Sequence, residues 1–150
     1  MSFAKREYPR DTREFVRIGY NDACINFLVK FDKYSFDELV HCLKDVTEYN
    51  EYNEYNEYKG VKVANAFNKI KEQVQKAYFG REGSPVLYLH VVQFDWENDE
   101  LVVRSPERMA EVVAEIKKAF SRTKADEFDV EIEKNRDGIE VPAIIRLWWD

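Results

Sequence analysis

The stretch "SPVLYLHVVQFDW" (residues 84–96) is apolar at most of its positions, and it gives the clearest indication of the fold. Its apolar side chains occupy both alternating sets of positions. One set is Val86, Tyr88, Val92, Phe94 and Trp96, and the other is Leu87, Leu89 and Val91. A strand that is apolar on both faces is usually buried on both, which is typical of the centre of a sheet. The sequence therefore predicts a central strand here, with His90 as a hydrogen-bonded core residue.

Further strands are expected on either side of this one, grouped into three hairpins. The last hairpin has the strongest turn signal in the chain, because Asp137-Gly138 suits a tight two-residue turn. The six predicted strands are 14–20 with 23–31, 84–96 with 101–104, and 127–134 with 139–149.

Three helices are predicted between these strands, each from an apolar stripe at helical spacing. Ser35 is expected to cap the first helix, with Glu38 completing a capping box. The second is expected over residues 60–80, with Gly80 as its C-cap, and the third begins at Ser105-Pro106. About three helices gathered on one face of a mainly antiparallel sheet make an α+β domain.

The 150 residues fit a single domain spanning 1–150, with two parts outside its core. Residues 1–13 form a mildly basic arm. Residues 47–60 contain four Glu-Tyr copies at a period of three, which drifts by about 60° per copy around a helix, so the tyrosines share no face. We interpret 47–60 as a surface repeat insertion, because connections between elements tolerate added residues. The alternative is a tyrosine-rich contact ladder.

Composition limits the classes of function. The formal net charge is −6 and the isoelectric point is about 5.1, which argues against broad, non-specific binding to nucleic acid. No apolar run is long enough to span a membrane, and the first residues lack the apolar core of a signal peptide. The two cysteines, Cys24 and Cys42, do not have CxxC spacing. We therefore predict a protein of the reducing cytoplasm without a membrane partner.

The carboxylates that follow the central strand give the one candidate for a catalytic or metal site. Asp95, Glu97 and Asp99 alternate in "FDWENDE" (residues 94–100), so in a strand they lie on one face. Carboxylates a few ångströms apart repel one another, and they are the ligands that Mg²⁺ takes. Asp95 and Glu97 are the predicted catalytic residues, and all three acids are predicted metal ligands.

The same stretch resembles the minimal motif of the nucleotidyltransferase family. Gly83-Ser84 is followed, after ten residues, by Asp95-Trp96-Glu97, which is two acids separated by one apolar residue. The resemblance implies that Gly83 and Ser84 hold nucleotide phosphate and that Asp95 and Glu97 hold the metal. It covers only residues 83–97, and the residues flanking the motif are polar where the family has apolar ones.

The last predicted strand is the expected edge of the sheet. Pro142 has no N–H group to donate to a neighbouring strand, which suits an edge position. Trp148 falls on the opposite parity from most apolar side chains of this strand, and a large aromatic residue on a mixed face often marks a contact surface. A homodimer through the C-terminal strand is therefore one expected mode of association.

Two functions of different classes stay open, and whether the chain is an enzyme is left undecided. The first is a small acidic intracellular protein that binds or regulates a protein partner, for which a basic partner suits the charge, and it needs no cofactor. It rests on the charge and on the lack of a complete catalytic set. The alternative is a magnesium-dependent phosphodiester enzyme acting on nucleic acid, a nuclease or nucleotidyltransferase, with Asp95 and Glu97 holding the metal. A second acidic stripe, Asp129, Glu131 and Glu133, is interpreted as the solvated side of a half-buried sheet.

Overall fold

The computed structural model of the chain describes residues 28–44, 58–80, 86–95, 100–102, 108–134 and 137–149. The helices are α1 (Phe36–Lys44), α2 (Gly60–Ile70) and α3 (Met109–Ala119). The strands are β1 (Leu28–Asp32), β2 (Lys76–Gly80), β3 (Val86–His90), β4 (Gln93–Asp95), β5 (Glu100–Val102), β6 (Glu127–Lys134) and β7 (Glu140–Trp148). Within this part of the chain, no helix is both long and apolar enough to cross a membrane.

Five of these strands form one antiparallel sheet in the order β1-β2-β3-β7-β6. β3 occupies the middle position, and residues 87–90 are buried. His90 is among them, with its ring centre 5.1 Å from that of Tyr78, so its predicted place in the core is confirmed. The α+β class and the buried central strand are therefore confirmed.

The predicted arrangement of six strands in three hairpins is not confirmed. The central strand ends at His90, and a bend at Val92 separates it from β4. Among the described strands, β4 pairs with β5 in a separate two-stranded sheet. The first predicted hairpin falls outside the described residues except for β1. Of the predicted hairpins whose two strands are both described, the last, β6 with β7, joins the main sheet as two consecutive strands around the expected turn.

β2 corrects the predicted second helix. That helix was expected to continue to Gly80, whereas α2 ends well before it and Lys76–Gly80 form a strand between β1 and β3. The apolar spacing of α2 continues into this segment, which is why the pattern is misleading. Tyr78 and Phe79 are adjacent and both fully buried, which a strand covered on both faces allows, and aromatic residues favour such positions. Gly80 is therefore a strand residue and not a helix C-cap.

The cap that precedes α1 also lies earlier than predicted. A 3₁₀ turn, Lys33–Ser35, comes before the helix, and its capping residue is Asp32. The Asp32 carboxylate accepts a hydrogen bond from the N–H group of Tyr34 at 3.1 Å, and Ser35 Oγ accepts one from the N–H group of Asp32 at 3.0 Å. Ser35 is thus the reciprocal partner in a capping box rather than the cap itself.

α3 and the junction of α1 with α2 lie against one face of the main sheet. The ammonium group of Lys117 in α3 lies 5.8 Å from the ring centre of Phe128 in β6. Trp149, directly after β7, is fully buried. Its ring meets that of Tyr58 edge to face at 5.1 Å, and its Nε1 donates to the carbonyl oxygen of Thr123 at 2.8 Å. Trp149 belongs to the hydrophobic core, whose other fully buried residues include Phe31, Leu39, Leu43, Phe67, Phe79, Leu87, Leu89 and Ile116.

A β-bulge in the β6–β7 hairpin decides which side chains share a face. The adjacent residues Glu131 and Ile132 pair with Ile144 and Pro142, so Ala143 is left over as the extra residue of β7. The bulge shifts the alternation of β7 by one position. Side chains before and after it therefore do not follow the single parity that the sequence predicts.

The prediction that the C-terminal strand is a sheet edge is wrong. Residues 144–148 pair with β3 on one side and with β6 on the other. Pro142 lies beyond the end of β3, at the bulge, where a missing donor is tolerated as it is at an edge. The outermost strand on this side of the described sheet is β6. A homodimer stays a prediction, but the backbone of residues 144–148 is already paired on both sides.

The predicted surface insertion ends earlier than expected. Residues 47–57 lie outside the described residues, as does the arm formed by residues 1–13. Tyr58, the last tyrosine of the repeat, is only 3% exposed, and α2 begins at Gly60. The final residues of the predicted 47–60 insertion are therefore part of the core and of a helix.

Candidate functional site

The predicted metal site falls mostly outside the described residues, which do not include Glu97, Asp99 or Gly83-Ser84. Asp95 has a defined backbone position as the last residue of β4. It does not extend the central strand, because the bend after His90 places it in the separate two-stranded sheet. The predicted placement of Asp95 at the end of the central strand is therefore wrong, and the metal site itself stays a prediction.

The register of β4 and β5 adds an acid that the sequence argument left out. Asp95 lies directly opposite Glu100. Among the side chains that the structure describes, no group of three or more His, Cys, Asp or Glu is arranged to hold a metal ion.

A row of polar side chains crosses the face of the main sheet opposite the helices. Each residue of the row lies opposite the next one on the neighbouring strand. From β1 to β6 they are Lys30, Tyr78, Tyr88, Arg146 and Asp129. The two tyrosines are buried, whereas Lys30 and Asp129 at the two ends are exposed. Positive charge therefore lies at one end of the row and negative charge at the other.

Arg146 holds two carboxylates of the neighbouring strand. Its Nη1 donates to Oε2 of Glu127 at 2.5 Å and to Oδ2 of Asp129 at 2.9 Å. Burial by itself lowers the pKa of Arg146, but hydrogen bonds to Glu127 and Tyr88 outweigh that effect and raise the pKa above its ordinary value. The guanidinium also lies over the Trp148 ring, 5.8 Å from its centre, which is a cation–π geometry. Arg146 therefore stays protonated and keeps both carboxylates in place.

The face of β6 on which these carboxylates lie is acidic along its length. The side chains of Glu127 and Asp129 are 45% and 52% exposed although both contact Arg146. Glu131 and Glu133 follow at the same alternate positions. Arg146 pairs with both Glu127 and Asp129, so these three side chains together keep a net negative charge. We call these four acids of β6 the acidic face, and its charge suits a cationic ligand.

Sequence analysis found most of the acidic face but missed Arg146 as its partner. An arginine in an otherwise apolar strand is a visible signal, yet the residue opposite it depends on strand register, which the local sequence does not specify. Glu100 was missed because it lies in a stretch expected to be a turn. Comparison of the chain with known protein families, with curated proteins and with solved structures finds no match. The candidate site accordingly rests on its own geometry.

Proposed function

We propose that the chain is a binding protein whose partner is a basic protein segment, contacted through the acidic face of β6. The observation that supports this most directly is the Arg146 group. Glu127 and Asp129 are held by one guanidinium at 2.5 and 2.9 Å and are still about half exposed. Carboxylates that are already held in place lose little side-chain entropy when a cation binds, so more of the interaction energy contributes to affinity.

Charge favours a basic partner over a second copy of this chain. β6 has four acidic residues and one lysine among its eight residues. A second copy placed face to face would set like charges opposite one another, which disfavours the contact. β6 is also the outermost of the described strands on this side of the main sheet, and an extended basic segment fits its charge.

The test uses the full chain and a ten-residue peptide of alternating lysine and valine as the probe. The variant Asp129→Asn/Glu131→Gln/Glu133→Gln removes three negative charges from the acidic face and leaves Glu127 on Arg146. We expect it to weaken binding of the peptide at least about tenfold, measured by fluorescence anisotropy at low salt. Circular dichroism checks that the variant is folded.

The matched control is Asp37→Asn/Glu72→Gln/Glu111→Gln, which removes the same number of charges from exposed positions on the helical side of the chain. We expect it to change affinity less than about threefold, because only the overall charge differs. If both triple variants weaken binding equally, the attraction is non-specific and the proposal is wrong. It is also wrong if wild type does not bind the peptide.

A magnesium-dependent phosphodiester enzyme is the second candidate, and the position of Asp95 opposite Glu100 supports it. Two acids at facing positions, with Glu97 and Asp99 between them in the chain, concentrate the oxygen ligands that Mg²⁺ requires. In this proposal the acids hold the metal, and the metal stabilises charge on a phosphodiester group.

Thermal unfolding in the presence of Mg²⁺ or Mn²⁺ tests this second candidate. A ligand that binds only the folded chain raises the melting temperature with its concentration, and Asp95→Asn or Glu100→Gln should abolish the rise. Glu111→Gln, on the exposed side of α3, is the control and should leave it intact. An unchanged melting temperature at millimolar metal would rule out the enzymatic proposal.

A further inference from the structure

We infer that the Glu-Tyr-Asn repeat is an insertion whose copy number can change without changing the fold, because its two ends are held together by the residues that flank it. These residues are Leu43 and Lys44 at the end of α1, Tyr58 just before α2, and Gly60 at the start of α2. We call them the neck. The inference concerns how the fold accommodates the repeat, and it is independent of the proposed binding function.

The backbones of α1 and α2 meet closely at the neck. A Cβ atom built on Gly60 would lie 2.6 Å from the carbonyl oxygen of Lys44, 2.7 Å from that of Leu43 and 2.9 Å from the Cα atom of Lys44. These distances are shorter than real Cβ contacts, so the approach requires glycine. The end of α1 and the start of α2 are therefore in contact, although thirteen residues, 45–57, separate them in the chain. The entropic cost of joining two fixed ends by a connecting segment changes only slowly with the length of the segment.

Tyr58 holds the residues before α2 against the end of α1. Its hydroxyl donates to the carbonyl oxygen of Leu43 at 2.5 Å. That carbonyl is one of the last four of α1, which have no partner within the helix. The ring of Tyr58 also packs edge to face on Trp149, with the ring centres 5.1 Å apart. One tyrosine of the repeat thus closes the first helix and packs into the core.

Gly60 explains why the last tyrosine has this role. Tyr49, Tyr52, Tyr55 and Tyr58 each follow a glutamate, but only Tyr58 is followed by Lys59-Gly60. The buried tyrosine must lie two residues before the glycine that contacts α1, so the position of Gly60 determines which tyrosine is buried. Removing one Glu-Tyr-Asn unit leaves Tyr58 two residues before Gly60, so the neck forms from the same residues.

The test compares melting temperatures of full-length variants with different copy numbers. The variants lack residues 51–53, lack residues 51–56, or contain one added Glu-Tyr-Asn unit. We expect each deletion to raise the melting temperature by less than about 1 °C and the addition to lower it by less than about 1 °C, because a shorter loop closes at a smaller entropic cost.

A matched pair of substitutions separates the neck from the rest of the repeat. Tyr58→Phe should lower the melting temperature by about 2–6 °C, because it leaves the Leu43 carbonyl without its donor. Tyr55→Phe, at a tyrosine that also follows Asn-Glu but does not precede Lys59-Gly60, should change it by less than about 1 °C. The inference is overturned if a one-unit deletion lowers the melting temperature as much as Tyr58→Phe does. It is equally overturned if the two tyrosine substitutions have the same effect.

Discussion

Tyr58 and Arg146 are polar side chains in partly or wholly buried surroundings, and burial acts on their protons in opposite ways. Burial, reinforced by the nearby Cys42, raises the pKa of Tyr58 well above its ordinary value because the neutral phenol is the form that a dry site favours. Burial works against the charged form of Arg146, and only its hydrogen-bonding partners raise its pKa. One group is therefore kept neutral by its surroundings, and the other is kept charged by specific contacts.

The raised pKa of Tyr58 predicts a loss of stability in alkaline solution. Above about pH 10 a tyrosine of the unfolded chain loses its proton while Tyr58 keeps it, so the unfolded state binds fewer protons and stability falls as pH rises. The contribution of Tyr58 is fully present below about pH 10 and then shrinks by about 1.4 kcal/mol per pH unit until the pKa of the folded state is reached.

Urea unfolding of wild type and Tyr58→Phe from about pH 8 to about pH 11 checks this prediction, because phenylalanine does not titrate there. The stability advantage of wild type should be constant up to about pH 10 and should then decrease. Other tyrosines titrate in both proteins, so their effects cancel in the difference. A constant advantage across the range would mean that the Tyr58 hydroxyl is not buried.

At the scale of one element, the two adjacent tryptophans at the end of β7 have different surroundings. Trp148 faces away from the helices, half-buried beside Arg146, whereas Trp149 is fully buried and bonded to Thr123. Alternation of side chains along a strand accounts for the difference. Trp149 shares the parity of the fully buried Ile145 and Leu147, and the bulge at Ala143 lies before all three, so it does not disturb their alternation.

Substituting each tryptophan by phenylalanine should separate their roles. Trp149→Phe removes the hydrogen bond to the Thr123 carbonyl and leaves a gap in the core, so we expect a loss of about 2–4 kcal/mol in the free energy of unfolding. Trp148→Phe keeps an aromatic ring beneath Arg146 and should cost less than about 1 kcal/mol. Urea denaturation measures both, and similar losses would contradict the assignment of Trp149 to the core.

Across the whole molecule, the sheet order makes β3 and the second half of β7 the centre of the structure. β3 lies between β2 and β7, and residues 144–148 of β7 lie between β3 and β6. Backbone groups in such strands open only when the surrounding sheet opens, whereas β6 is paired on one side by the described strands.

Native-state hydrogen exchange should therefore find the slowest amides in β3 and in residues 144–148 of β7. Their free energies of opening should approach that of global unfolding, while the amides of β6 that point away from β7 should exchange with lower values. The two strand sets are compared within one protein, so solvent conditions are identical. Faster exchange from β3 than from β6 would contradict the strand order.

The sequence alone was sufficient for those features that depend on local patterns. Apolar residues on both parities of residues 86–90 indicated the central strand, and Asp137-Gly138 indicated the β6–β7 turn, where Gly138 has a φ of 78°. The alternating acids of β6 could likewise be placed together on one face. Each of these inferences uses neighbours within a few residues, for which the period of the side chains is a direct physical consequence of backbone geometry.

Tertiary structure decided the features that depend on contacts between distant residues. β2 has the apolar spacing of a helix, and its place between β1 and β3 makes it a strand. Asp95 lies outside the central strand because the chain bends after His90, and the adjacent residues do not indicate that bend. Arg146 lies opposite Asp129 because of the register between β6 and β7. Tyr58 differs from its repeat copies only in being two residues before a glycine that touches α1. Local periodicity determines which face a side chain takes, but its partner is determined by which elements pack together.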